Sequence, residues 1–324
     1  MPSDLILSDR TPRTEIGPLS EIADRASDFV RHSKSDNTVR AYQSDWSHFE
    51  SWCRAHGQVP LPATAETVGL YLADLSTTHK TATLIRRISA ISQMHQIAGL
   101  ETPTKSSQVR LVMAGIRRSK GMAATAKTPV LVNDLRSMVE HLPKNLLGVR
   151  DRALLLIGFS GAFRRSELVA LNVEDVPVTR DGVVITIRRS KTDQEGEGRK
   201  IGIPYGSNAD TCPVRALQDW LTNCGFTGGP LYRPIDRFGR VSADRLSAAA
   251  VAEIVKKYAA AVGLKAADFA GHSLRSGLAT SAAMAGASER SIMNQTGHRS
   301  VNMVRRYIRD GSLFRENAVT LVGL

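Results

Sequence analysis

The sequence predicts a two-domain, mainly α-helical protein with one small β-sheet in its second domain. Three observations carry this. At 324 residues the chain exceeds what one hydrophobic core usually organises, and its 42% apolar content is ample for two. Apolar residues recur at three- and four-residue steps through most of the chain, which is the period of amphipathic helices. β-Branched runs occur in one region only, "GVVITIRRSKT" and "RKIGIP", on either side of a polar turn.

Taken in order, residues 1–18 read as a flexible polar leader with no apolar stretch behind a basic start, so no secretory signal is expected. The first domain, 19–119, contains "DNTVRAYQSDWSHFESWCRAHG", where Val39, Tyr42, Trp46, Phe49 and Cys53 share one helical face and Gly57 ends the helix. Further helices follow at 64–76, at 81–100 with Leu84, Ile88, Ile91 and Ala98 inward and the Arg86/Arg87 pair elsewhere, and at 106–121. Small residues, basic charge and a proline then break the periodicity, marking a linker at 120–128. The second domain, 129–310, opens with helices in "LVNDLRSMVEHL" and "VRDRALLLIGFSGAF", passes through the two strand pieces, and is helical from "CPVRALQDWL" onward. A short apolar tail, 311–324, ends the chain.

Charge narrows the function. Lys plus Arg number 43 against 31 Asp plus Glu, a net +12, which favours a polyanionic partner through phosphate neutralisation and counterion release. Nucleic acid fits better than a membrane surface, because the longest apolar run, "ALLLIGFSGAF", is too short to span a bilayer. Cys53, Cys212 and Cys224 form neither a CxxC nor a Cys/His metal spacing and suit a reducing compartment as structural residues. No Gly-rich phosphate loop is visible, and neither metal nor cofactor is expected.

The stretches that carry chemistry lie in the second domain. "GAFRRSELVAL" places Arg164 and Arg165 before Glu167 at the end of an apolar helix, where the motif alone reads equally as a surface ion pair. "IRRSKTDQEGEG" sets Lys191 at a strand-to-turn junction, a place for a mobile proton donor, although most turn lysines are simply solvated. "GHSLRSG" holds His272 and Arg275 one helical turn apart, able to face the same ligand. "TGHRSVNMVRRYIR" holds His298 and Tyr307, the tyrosine flanked by Arg305, Arg306 and Arg309. Attack by a phenol on a phosphodiester would need these parts: fixed cations for the nonbridging oxygens, for which the planar arginine fork is well suited, and a donor for the leaving oxygen. A phenol titrates at about 10 in water, so attack near neutrality also needs a proton acceptor and nearby positive charge.

In this order and spacing Arg164, Lys191, the "HSLR" of His272 and Arg275, His298 and Tyr307 resemble the signature of the tyrosine recombinase (phage integrase) family, over nearly the whole chain. "GLETPTKSSQVRLVMAGIRR" and "SVNMVRRYIRDGSLFRENA" are similar in cast to Cre-like site-specific recombinases. The resemblance implies a DNA-clamping, two-domain architecture in which a SAM-like helical domain grips one face of the duplex and the catalytic domain the other. It implies that Arg164 and Arg275 clamp the scissile phosphate, Lys191 protonates the leaving 5′ oxygen, and His272 assists proton transfer at the tyrosine. His298 would bond a phosphate oxygen, Tyr307 would form a 3′-phosphotyrosyl link, and Glu167 would be a supporting residue.

Two positions depart from the family pattern. Arg165 stands where an aliphatic residue usually follows the first arginine, so the choice of Arg164 rests on register. His298 stands where Cre carries tryptophan.

The resemblance further implies recombination through a Holliday junction without ATP or metal, on double-stranded DNA with an inverted-repeat target. It implies a homotetramer on two sites and a monomer or weak oligomer without DNA, with the 311–324 tail docking between protomers. The setting would be a bacterial cytoplasm. Arg86, Arg87, Arg240 and Arg305 are the expected DNA contacts outside the centre. Topoisomerase IB-like or telomere-resolvase activity, and a non-catalytic DNA-binding regulator, are the alternative readings; the regulator would be expected to lack one of Arg164, Arg275 or Tyr307, and all are present.

Overall fold

The computed structural model describes residues 35–121, 127–188, 190, 198–298 and 300–311, with Asp36 and 308–311 described by backbone alone. The 1–18 leader, Lys191 and the tail from 312 lie outside the described residues. The chain divides into two compact units, Met1–Thr125 and Ala126–Leu324.

In the first unit, α1 (Asp36–Ala55), α2 (Ala65–Ser76), α3 (Thr81–Ile97) and α4 (Ser107–Lys120) pack around Phe49, Val68, Leu72, Leu84, Ile91 and Met113. The helix starts are written locally: Thr64 and Ser106 each accept a hydrogen bond from the backbone NH three residues on. Two expectations for α3 are corrected. Ala98 is exposed, because the helix ends at Ile97 before its face returns inward, and His95 fills the inner position, accepting from the Ala63 NH at 2.9 Å. Arg87 points inward, not outward: its side chain is 9% exposed and donates to the Tyr71 hydroxyl at 2.5 Å, within 3.8 Å of the buried Asp45 carboxylate. Arg86 is half-exposed and donates to the same oxygen, Asp45 Oδ1, at 3.1 Å.

The second unit is built on α6 (Leu146–Ser160), apolar on nearly all sides and packed against α5 (Val132–Glu140), α7 (Arg165–Ala170), α8 (Pro213–Cys224) and α10 (Ser273–Met284). A helix apolar all round is a buried helix, and α6 is the centre of this core. The sheet has three antiparallel strands in the order β1 (Val178–Thr179), β2 (Gly182–Ile187) and β3 (Arg199–Pro204). Its first, two-residue strand is too short for alternation to reveal in the sequence. Pairs Val183↔Ile203 and Ile185↔Ile201 turn one face into the core, and the same pleat places Arg199 opposite Ile187 at the edge of that face.

Helices do not run on unbroken from α8. The Gly- and Pro-rich segment 225–247 is irregular, with an isolated bridge Ile235↔Val241, before α9 (Ala248–Ala261), α10, α11 (Glu289–Thr296) and α12 (Val301–Gly311). Among the described residues no helix is long and apolar enough to cross a membrane.

Candidate active site

Close helix approaches assemble the site. Gly158 in the last turn of α6 packs under the side chains of Leu168 on α7 and Leu274 on α10, whose methyls a Cβ would meet at 2.9 Å and 3.0 Å. Gly277 lets α10 lie against the chain at Val130, whose NH donates to the Ser273 carbonyl at 2.9 Å. Past α6 the chain turns sharply at Ala162, held in the left-handed region at φ +48°. That turn aims the Ala162 carbonyl at Arg275, which donates to it from Nη1 at 2.7 Å.

Arg164 is the N-cap of α7, beyond the end of the apolar helix and not on it. Glu167, buried on the first turn of α7, accepts from the Arg164 backbone NH at 2.9 Å and from its Nη1 at 2.6 Å. One carboxylate thus caps the helix and orients the arginine fork. Arg165 is exposed and packs its stem on Gly271. The structure brings Arg164, and not Arg165, together with Glu167, His272, Arg275 and His298.

Arg275 is 0% exposed and donates from Nη2 to His298 Nε2 at 3.1 Å. Burial, then the neighbouring Arg164, lowers its pKa to about 10, so it stays a cation at neutral pH. His298 follows the α11 terminus at Gly297, in the left-handed region at φ +66°. Burial first, then Arg275, Arg164, His272 and Arg199, hold its imidazole down to about 4.

His272 caps the N-terminus of α10, open to solvent on one edge, and its Nε2 lies 3.2 Å from the Tyr307 hydroxyl. Surrounding protein, then Arg275 and Arg164, lower its pKa, which favours a neutral ring able to accept a proton. Tyr307 is half-buried on α12, which the packing of Val304 against Ala279, Ala283 and Ile292 holds on α10 and α11. Its ring centroid lies 5.8 Å from that of His298.

Sequence reasoning missed Arg199. Its Nη2 lies 3.9 Å from Glu167 Oε2 and its Nη1 donates to the Gln295 carbonyl of α11 at 3.2 Å. A basic pair opening a strand, "RK", gives no sign of which member turns inward. Arg240 and Arg305 lie away from this cluster in exposed ion pairs, with Asp236 at 2.7 Å and Glu289 at 3.0 Å. Among the described residues no group of three or more His, Cys, Asp or Glu is placed to hold a metal ion.

A phenol beside a neutral imidazole, next to two guanidiniums held by a carboxylate and a carbonyl, is a centre for nucleophilic attack at an anionic ester. The phage integrase family model matches residues 130–312, and the model for the phage integrase N-terminal SAM-like domain matches 29–101. An integrase/recombinase xerD homolog from Selenomonas ruminantium is 45% identical over 90% of this chain and 86% of its own. Recombinase cre of Escherichia phage P1 is 25% identical over 86% of each chain. The XerH site-specific recombinase bound to palindromic difH substrate shares the fold with a TM-score of 0.60 at 18% identity, covering 81% of this chain and 73% of that one. The chain belongs to the phage integrase family and is a tyrosine recombinase, an enzyme of DNA strand breakage and rejoining.

Proposed function

We propose that this enzyme performs site-specific recombination on double-stranded DNA through a covalent 3′-phosphotyrosyl bond at Tyr307. The observation that carries the reading is the Tyr307 hydroxyl set 3.2 Å from His272 Nε2 on the side of the site where Arg275 and His298 stand. The scissile phosphate takes the Arg164 and Arg275 forks, whose fixed charge offsets the charge developing on the nonbridging oxygens. Tyr307 Oη attacks phosphorus while its proton passes to His272 Nε2. The new bond to tyrosine forms as the bond to the 5′ oxygen breaks, and Lys191 gives that oxygen its proton. In the free protein His298 accepts from Arg275, so a phosphate oxygen arriving between them displaces this bond. The anion then raises the proton affinity of His298, which becomes a donor to it.

One phosphodiester replaces another, so the step is reversible without ATP. A 5′ hydroxyl from a second duplex reverses it on a new strand and forms a Holliday junction. The 19–119 domain and the 129–310 domain would hold opposite faces of one half-site in an inverted repeat, each half about one helical turn, roughly 10 base pairs. Four protomers on two sites, joined by the 311–324 tails in a ring, would complete the synapse in the bacterial cytoplasm.

A nicked suicide substrate tests the assignment. Wild-type protein yields a covalent adduct on a denaturing gel, and Tyr307→Phe, which loses only a hydroxyl, binds the same DNA without one. A normal adduct yield from the variant would refute Tyr307 as nucleophile. Strand exchange between two duplexes separates recombination from topoisomerase-like relaxation of one.

A further inference from the structure

We propose that Arg199 is a positioning residue for cleavage, a brace that ties the Arg164–Glu167 arm of the site to the turn carrying His298. The inference rests on the recombinase reading above and deepens it.

Arg199 stands where the pleat of β3 places Ile201 and Ile203, both buried, on the same face. An arginine at the edge of an apolar face is desolvated, with its side chain 23% exposed, and needs partners to be tolerated there. Its partners come from two separate arms of the site. Toward α7, Nη2 lies 3.9 Å from Glu167 Oε2, the carboxylate whose two oxygens already bind Arg164. Glu167 is therefore hydrogen-bonded to Arg164 and faces Arg199 in a longer ion pair, in which the buried Arg199 Nη2 makes no hydrogen bond among the described residues.

Toward α11, Nη1 donates to the carbonyl of Gln295, one of the last-turn carbonyls that helix geometry leaves without an intrahelical partner. The Gln295 side chain in turn donates to the Ser160 carbonyl at 2.7 Å, tying the same turn to the end of α6. The guanidinium also lies against Gly297: a Cβ there would meet Arg199 Cζ at 2.7 Å and Nη1 at 2.8 Å. Glycine at this position thus serves both the left-handed turn and the stacked fork. The next residue is His298. Removing the fork takes away one of two ties on the α11 terminus and leaves Glu167 with Arg164, so the spacing between the two arms that meet the phosphate loosens.

The test uses full-length Arg199→Met, which keeps the aliphatic stem but removes the fork that lies against Gly297, and Arg199→Lys, which keeps a charge but not the planar fork. Cleavage of a nicked half-site is measured in single turnover at saturating protein, beside half-site affinity and its salt dependence. Arg199→Met is expected to cleave about tenfold to a hundredfold more slowly, the effect of a sub-ångström to ångström misplacement. Arg199→Lys is expected to fall between it and wild type. Affinity and salt slope stay unchanged, whereas a lost phosphate contact would lower the slope by about 0.9.

A second readout is the His298 titration, followed by imidazole NMR. The groups facing that ring are Arg275 and His272 on α10, Arg164 at α7, Arg199 on β3, Thr296 on α11 and Tyr307 on α12. Losing one cation moves its midpoint up in Arg199→Met. Wild-type cleavage rates in the variants would overturn the proposal, as would a fall in affinity and salt slope that accounts for the lost rate. If Arg199→Met does not fold, Arg199→Lys decides alone, and a wild-type rate there overturns it. Tyr307→Phe in parallel keeps the two readings apart: an adduct from that variant removes the nucleophile assignment whatever Arg199 does.

Discussion

Arg275 donates from Nη2 to Nε2 of His298 across 3.1 Å, and this bond determines where the imidazole proton sits. With Nε2 accepting, the proton is on Nδ1, which donates to Thr296 Oγ1 at 2.7 Å, and that hydroxyl donates to the Ile292 carbonyl at 2.7 Å. The chain of donors is satisfied only by a neutral ring, in line with its depression from 6.5 to about 4 by burial and the surrounding cations.

Between those two values the unfolded chain binds the proton that the folded chain refuses. Stability is therefore fully present above about 6.5 and is lost as pH falls toward about 4. Imidazole NMR of the free protein is expected to show the Nδ1-protonated form of His298 at pH 7 and a midpoint near 4. Thermal unfolding should show a shallower acid slope in His298→Gln than in wild type. Some slope remains, because His272 is depressed in the same direction. A His298 midpoint at the ordinary value would show that the ring is not held buried among these cations in solution.

Arg164 and Arg165 are neighbours with opposite surroundings, one bonded to buried Glu167 and one exposed beside Gly271. Arg164→Ala is expected to lower single-turnover cleavage by about a hundredfold or more, the scale for losing one donor to developing charge. Arg165→Ala, measured at saturating protein, should leave most of the rate. A reversal of the two defects would move the phosphate clamp by one residue.

Gly277→Ala tests the approach that seats α10. Its Cβ would lie 2.0 Å from the Val130 carbonyl oxygen and 2.9 Å from the carbonyl carbon, both backbone atoms that no rotamer change can move away. Overpacking of this kind costs about 1–3 kcal/mol. Denaturant unfolding should show that loss, and cleavage should fall with it because His272 and Arg275 ride on the same helix. Unchanged stability would mean that α10 and Val130 lie farther apart in solution.

The helices were legible wherever one face is buried, as Trp46, Phe49 and Cys53 show on α1. So were the His-x-x-Arg pair and the tyrosine, whose spacing on α10 and α12 is local. What the sequence left hidden depends on partners distant along the chain. Arg199 meets its α11 carbonyl across a separation of 96 residues, and only the pleat of β3 turns it, and not Lys200, inward. Ala162 looks like any small residue until the turn after α6 forces it to a positive φ and its carbonyl onto Arg275. Arg86 and Arg87 are alike in sequence and about 100° apart around α3, so neighbouring helices decide which is buried.

That decision is open to measurement at Arg87. The Arg87 fork is enclosed by groups from two other helices and the α2–α3 connection: Tyr71 hydroxyl at 2.5 Å, His48 Nδ1 at 2.6 Å, His79 Nε2 at 3.3 Å and the Asp45 carboxylate at 3.8 Å. Burial pushes the Asp45 carboxyl up, a rise that Arg86 and then Arg87 partly offset. Arg87→Met preserves the volume but leaves the Tyr71 hydroxyl with His48 Nδ1, at 3.0 Å, in place of its guanidinium donor, and Asp45 with Arg86 alone. Hydrogen bonds to a charged group contribute about 1.5–3 kcal/mol, so unfolding should show a loss of about that size. Half-site affinity of the folded variant, and its dependence on salt, should match wild type, because a side chain spent on an internal network has no fork left for phosphate. Arg86→Met, with its half-exposed side chain, should give the smaller loss of stability. If Arg87→Met instead unfolds like wild type while its salt slope drops by about 0.9, the value for one lost phosphate contact, Arg87 turns outward to DNA and the internal network is not its resting place.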